Sequence, residues 1–143
     1  MATIHILRSL ALTGLALACA TPALPASAAT CAAASPGGTL THASAASNSL
    51  LPSTGSAASD QYVIQGDGQP FQLSIAFNGL VASSPSLGDI VIAGPNGAVG
   101  EALARPDGTA MFNLATDPGS QYTVTVENWT PAAVGYQMSV DCS

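Results

Sequence analysis

The sequence contains no lysine and only two arginines, Arg8 and Arg105, against eight acidic residues, for a formal net charge of −6. A chain so poor in cations has little with which to neutralise phosphate, which excludes nucleic-acid binding as a role. Anionic membrane surfaces are disfavoured for the same reason. Charged residues make up only 7% of the chain and aromatic residues 5%, so threonine, serine, asparagine and glutamine have to cover most of the exterior. Histidine is scarce as well: His5 lies in the leader, and His42 is the one base left for a serine nucleophile. Without lysine neither a Ser-Lys pair nor a Schiff base can form, and no glycine-x-serine-x-glycine elbow occurs. His42 reads as a solvated loop histidine, and the chain as non-catalytic.

Long hydrophobic runs are equally rare. The one apolar run, Leu10 to about Ala20, follows Arg8 and gives way to Pro22 and Pro25. It is short for a bilayer span and has the form of a secretory signal peptide. The small-x-small triplet Ala26–Ala28 sets the signal peptide at residues 1–28, with a mature chain from Ala29. The rival is "LALAC", a lipobox-like run ending at Cys19, which would give a lipid-anchored structural surface component. Ala16 stands where lipoboxes carry a larger aliphatic residue, so the expectation is a soluble secreted or periplasmic protein with no membrane span.

Of the three cysteines, either route disposes of Cys19 and leaves Cys31 and Cys142 near the two ends of the mature chain. In an exported protein an even pair reads as a disulfide. Closing a loop of about a hundred residues would contribute roughly 4 to 5 kcal/mol on the chain-entropy model.

Residues 29–59 are rich in alanine, serine and threonine and hold no sustained apolar period. They read as a linker with one candidate first strand in "GGTLTH". "LPSTG", Leu51 to Gly55, spells a sortase signal, but a whole domain follows it with no basic tail, so it reads as coincidence. From Asp60 the pattern turns to period two. "PFQLSIAF" sets Phe71, Leu73, Ile75 and Phe77 on one face; "QYTVTVEN" does so with Tyr122, Val124 and Val126; "YQMSVDC" with Tyr136, Met138, Val140 and Cys142. "DIVIA" is apolar on both faces. In "AVGEALA" the pattern fails, because Glu101 shares parity with Val99 and Leu103; a bulge at Gly100 or an edge position accounts for this, and the sequence does not choose. "GDGQP", "GPNG", "RPDG" and "TDPGS" are turn chemistry. The fold class is all-β: an antiparallel, jelly-roll-like β-sandwich of seven to eight strands over residues 60–143.

Four aspartates are candidate calcium ligands: Asp67, Asp107 and Asp117 in turns, and Asp89 at the head of a strand. Turn aspartates ordinarily satisfy local backbone groups, and no D-x-D-x-D run occurs, so the reading without a cofactor is preferred. Trp129, the sole tryptophan, is favoured as a lid on the core, with contact to an extracellular protein or glycan as the alternative. "NWT" at Asn128 is formally a glycosylation acceptor and is taken as accidental.

The stretch from Asp60 to Cys142 resembles the bacterial pre-peptidase C-terminal domain. The resemblance rests on "DQYVI", "GDIVIAGPNG", "PGSQYTVTV" and "YQMSV". It implies a small sandwich of the kind appended to exported enzymes, and in some relatives calcium held near the middle motif, at Asp89. Here Ile90 and Ile92 stand where further carboxylates would. The functional expectation is a non-catalytic binding or interaction module outside the cytoplasm.

Overall fold

The computed structural model describes residues 30–80 and 87–142. The expected signal peptide, the cleavage site and Cys19 lie outside these residues. The described chain forms ten strands: β1 (Ala32–Ala34), β2 (Thr39–Leu40), β3 (Ser44–Leu50), β4 (Ala58–Gln65), β5 (Phe71–Asn78), β6 (Gly88–Gly94), β7 (Gly97–Leu103), β8 (Thr109–Leu114), β9 (Gln121–Asn128) and β10 (Val134–Val140). They build two five-stranded sheets. Sheet A has the order β1-β3-β10-β5-β8 and sheet B the order β2-β4-β9-β6-β7.

The alternating segments fold as their period dictates. Phe71, Leu73, Ile75 and Phe77 of β5, Tyr122, Val124 and Val126 of β9, and Tyr136, Met138 and Val140 of β10 are all buried between the sheets. An inward row on each sheet, facing the other, is the stable way to hide one face of a pleated layer. β6 and β7 form a hairpin across Pro95 and Asn96, which Gly97 closes at φ +108°, a backbone conformation that a Cβ disfavours.

Three features differ from the expectation. From β4 onward the strands number seven, within the expected seven to eight, but the segment before them, expected as a linker with one strand, supplies three more, β1, β2 and β3. Leu40, Ala46 and Leu50 from this segment are core residues. The period was hidden because β3, "SAASNSL", puts alanine and serine on both faces, leaving little contrast between inside and outside. Second, the sheets are mixed: β1 runs parallel to β3 and β2 parallel to β4, while the other pairs are antiparallel. Third, the end of β10 does not carry its parity through to Cys142. Asp141 adopts φ +49°, which turns the chain after Val140 and leaves Cys142 half-buried beyond the strand.

Cys142 is bonded to Cys31, with Cα atoms 6.2 Å apart and a sequence separation of 111. The bond ties the segment before β1 to the end of β10, two strands that both flank β3. The anomaly in "AVGEALA" resolves on both counts. β7 is an edge strand, and the register slips there so that Ile92 pairs with Gly100 but Ala93 with Ala98. Val99 is the extra residue of the bulge, and Val99, Glu101 and Leu103 all face solvent.

"LPSTG" forms part of the β3–β4 connection, where the Ser53 amide donates to the Thr130 carbonyl at 2.7 Å. No described helix is long and apolar enough to cross a membrane.

Candidate functional site

Three acidic side chains and the tryptophan gather on the outer face of sheet B. β6 lies between β7 and β9, and the register places Asp89 opposite Leu103 on one side and Glu127 on the other. Val91, two residues along, stands opposite Glu101. Three carboxyl groups from three strands therefore line one open recess of about 480 Å3, together with Leu87, Leu103 and Trp129.

Trp129 follows the last residue of β9. Its amide donates to the Leu87 carbonyl at 2.8 Å, and its indole Nε1 donates to Glu127 Oε2 at 2.9 Å. The ring is thus held from both ends yet remains 45% exposed. It is not the lid that the sequence favoured. The inward place at this end of the sandwich is taken by Asn128, fully buried, whose Nδ2 donates to the carbonyls of Leu51 and Ala132 and whose Oδ1 accepts from the Thr130 amide and hydroxyl. An amide so committed has no capacity left for a glycan, in keeping with the accidental reading of "NWT".

Asp89 is only 5% exposed, and its Oδ1 has no hydrogen-bond partner. Buried polar atoms are ordinarily satisfied, so an orphaned carboxyl oxygen needs an explanation. Burial, then the charge of Glu127, then a hydrogen bond to Glu101 push the Asp89 carboxyl up to about 7. Near neutral pH the group stands between its acid and its anion, which is uncommon for an aspartate.

The other aspartates proposed from sequence do not join it. Asp67 Oδ1 accepts from the Gln69 amide at 2.9 Å, and that bond is the main reason its carboxyl sits below the usual range. Asp107 accepts from the hydroxyl and the amide of Thr109, which lower it likewise. Asp117 lies in the β8–β9 loop, where its amide donates to the Tyr122 hydroxyl. Among the described residues no three His, Cys, Asp or Glu side chains are placed to hold one metal ion.

His42 is more tightly held than a solvated loop histidine. It lies in the tight turn between β2 and β3, where Ala43 has φ +60°. Its ring stacks on Phe71 with centroids 3.8 Å apart. Nδ1 meets Asp141 Oδ2, and Nε2 meets Asp67 Oδ2 at 3.2 Å. Both ring nitrogens face carboxylates rather than a hydroxyl, so the arrangement clasps the ends of β2, β4 and β10 together instead of preparing a nucleophile.

A second depression, about 850 Å3, lies on the outer face of sheet A. It is floored by small side chains such as Ala33, Ala45, Ser74 and Ala76 and has Met111 at one side. Apart from the bonded Cys31, no ionisable residue lines it.

The sequence singled out Asp89 and Trp129 separately; the fold brings them together and adds Glu101 and Glu127. The signal for Trp129 was present in the strand itself. Extending the alternation of "QYTVTVEN" by one residue places position 129 on the outward parity with Glu127. The convergence of the three acids depends on how β6 pairs with β7 and β9, which local sequence does not encode.

No family model matches the sequence, and no curated protein matches it. Among solved structures the chain is similar to the pre-peptidase C-terminal domain of collagenase from Bacillus anthracis, with 17% identity and a TM-score of 0.53 over 77% of this chain and 95% of that one. It is also similar to PliG, a periplasmic lysozyme inhibitor of g-type lysozyme from Aeromonas hydrophila, at 12% identity and a TM-score of 0.48 over 78% of this chain and 100% of the other. At such identities the first likeness establishes a shared fold, the pre-peptidase C-terminal type of β-sandwich that the sequence resembled.

Proposed function

We propose that this chain is an exported, non-catalytic binding module that engages a partner through the Trp129 recess of sheet B. The observation that carries the reading is the conjunction, in one recess, of a half-exposed, positioned indole and a buried carboxyl oxygen without a partner. Exposed aromatic rings held rigid are efficient contact surfaces, because little conformational freedom is lost when they are covered. Export is supported by the Cys31–Cys142 bond, which belongs to oxidising compartments. A non-catalytic role is supported by His42, the described imidazole, being committed to two carboxylates and a phenyl ring.

The test is retention of ligands by the purified mature protein on arrays of glycans, cell-wall fragments and extracellular proteins, repeated with Trp129→Ala. Retention that depends on Trp129 is expected. Retention that survives the substitution would move the binding face elsewhere. Intact mass of the exported protein addresses the rest: a chain from Ala29 supports the soluble form, and a diacylglyceryl group on Cys19 would make it a lipoprotein.

A further inference from the structure

From the unpartnered Oδ1 of Asp89 we infer that the Trp129 recess receives a cationic side chain, an arginine guanidinium presented by a basic protein partner. The inference rests on the recess being the binding face and names what enters it. The acidic residues alone would not carry it. What singles out a ligand is that Asp89, 5% exposed and carrying a buried oxygen without a partner, lines the recess together with two further carboxyl groups.

The chemistry of the walls narrows the occupant. A guanidinium offers five N–H donors in a plane and satisfies carboxylates two bonds at a time. It also stacks on indole rings, and the 45% exposed Trp129 lines the recess. Leu87 and Leu103 provide apolar surface along which the aliphatic stem of arginine can lie. A bare divalent ion suits the site less well, because it needs ligands converging on a point, and no three acids here do so. A planar group with spread donors reaches carboxyls that a point charge cannot bridge.

Among the described residues no cationic side chain lines the recess. The chain has no lysine, and Arg105 lies beside Asp107 at the β7–β8 turn. With a net charge of −6, the protein attracts basic partners over distance before contact. Glu101 of β7 and Glu127 of β9 are the titratable groups that face Asp89. A bound cation would stabilise all three as anions, so binding should expel the proton that Asp89 otherwise retains.

Trp129 is the only tryptophan, which makes its fluorescence a direct reporter in the full-length mature protein. The probe is the acetylated, amidated tripeptide Gly-Arg-Gly, with the same peptide carrying neutral citrulline as its control. The expected result is a saturable change in emission with the arginine peptide alone. Asp89→Asn should weaken it by about tenfold or more, and affinity should rise with pH through about 7. Near-ultraviolet circular dichroism of Asp89→Asn confirms that the variant is folded. Equal responses to arginine and citrulline, or an Asp89→Asn variant that binds unchanged, overturn the inference. So does a response to calcium chloride with silence toward the arginine peptide. A response only to a neutral N-acetylglucosamine oligomer removes the cation while keeping Trp129 as the binding face. Silence toward every probe here, together with Trp129-independent retention on the arrays, removes both readings.

Discussion

The phenol oxygens of Tyr62 and Tyr136 meet at 2.6 Å in the interior, one ring from β4 of sheet B and the other from β10 of sheet A. Tyr136 donates onward to Asp60 Oδ2 at 2.7 Å, and Asn48 donates to the same oxygen at 2.8 Å. Burial is the main reason that both phenols are pushed above their ordinary range; because Tyr136 has one proton and gives it to Asp60, the chain of donors runs from Tyr62 through Tyr136 to the carboxylate. This relay is a polar link between the two sheets within a largely apolar interior.

The direction of the relay predicts an asymmetry between two similar substitutions. Tyr62→Phe leaves Tyr136 still donating to Asp60, and should cost less than about 1 kcal/mol in urea unfolding. Tyr136→Phe strands the Tyr62 hydroxyl, on a residue with no exposed surface, and should cost about 1–3 kcal/mol. Equal losses would mean that the hydrogen bonds do not run in this sense.

Asp89 predicts a pH dependence of stability whose sign is opposite to that of a paired carboxylate. Its folded pKa is raised to about 7 from an ordinary value near 4. Between those values the unfolded chain releases a proton that the folded one keeps, so stability falls as pH rises across the window and stays low above it. Thermal unfolding should show this decline in the wild type and a much flatter profile in Asp89→Asn. At pH near 8 the variant should melt higher by about 4–8 °C, the equivalent of roughly 1 kcal/mol in a domain of this size.

The Cys31–Cys142 bond closes a span of 111 residues. On the chain-entropy model its removal should cost about 5 kcal/mol, a large share of the stability of any small domain. Urea unfolding with and without reductant, and of the paired Cys31→Ser and Cys142→Ser variant, measures this. A midpoint unchanged by reduction would mean that the unfolded chain gains little freedom when the bond is lost.

Asn128 should be among the positions least tolerant of change. Asn128→Ala leaves the carbonyls of Leu51 and Ala132 and the amide of Thr130 without the partners they have now, at about 1–3 kcal/mol for a stranded buried group. Because Trp129 is its neighbour, the loss should also alter the tryptophan emission spectrum.

Contrast between side chains decided which strands were legible. β5, β9 and β10 alternate bulky apolar residues with serine, threonine and glutamine, and every inward residue that this pattern named in them is buried; Cys142, past the end of β10, is not one of them. β3 alternates too, but with Ser44 and Ala46 inward against Ala45 and Ser47 outward, a difference of one oxygen or one methyl that no hydropathy pattern resolves. β1 and β2 are three and two residues long, shorter than a period needs to declare itself. The disulfide was legible from cysteine count and compartment. The recess was not, because Asp89, Glu101 and Glu127 become neighbours through strand pairing between distant segments.

β10 lies at the centre of sheet A, between β3 and β5. Until its residues are available, β1 and β3 have nothing to join them to β5 and β8, and this layer exists only as two unconnected pairs. Sheet A therefore cannot close until nearly all of the chain is available, since contacts between remote segments form late. The topology thereby delays the pairing of Cys31 with Cys142, which an external oxidant must complete, until the last strand is in place.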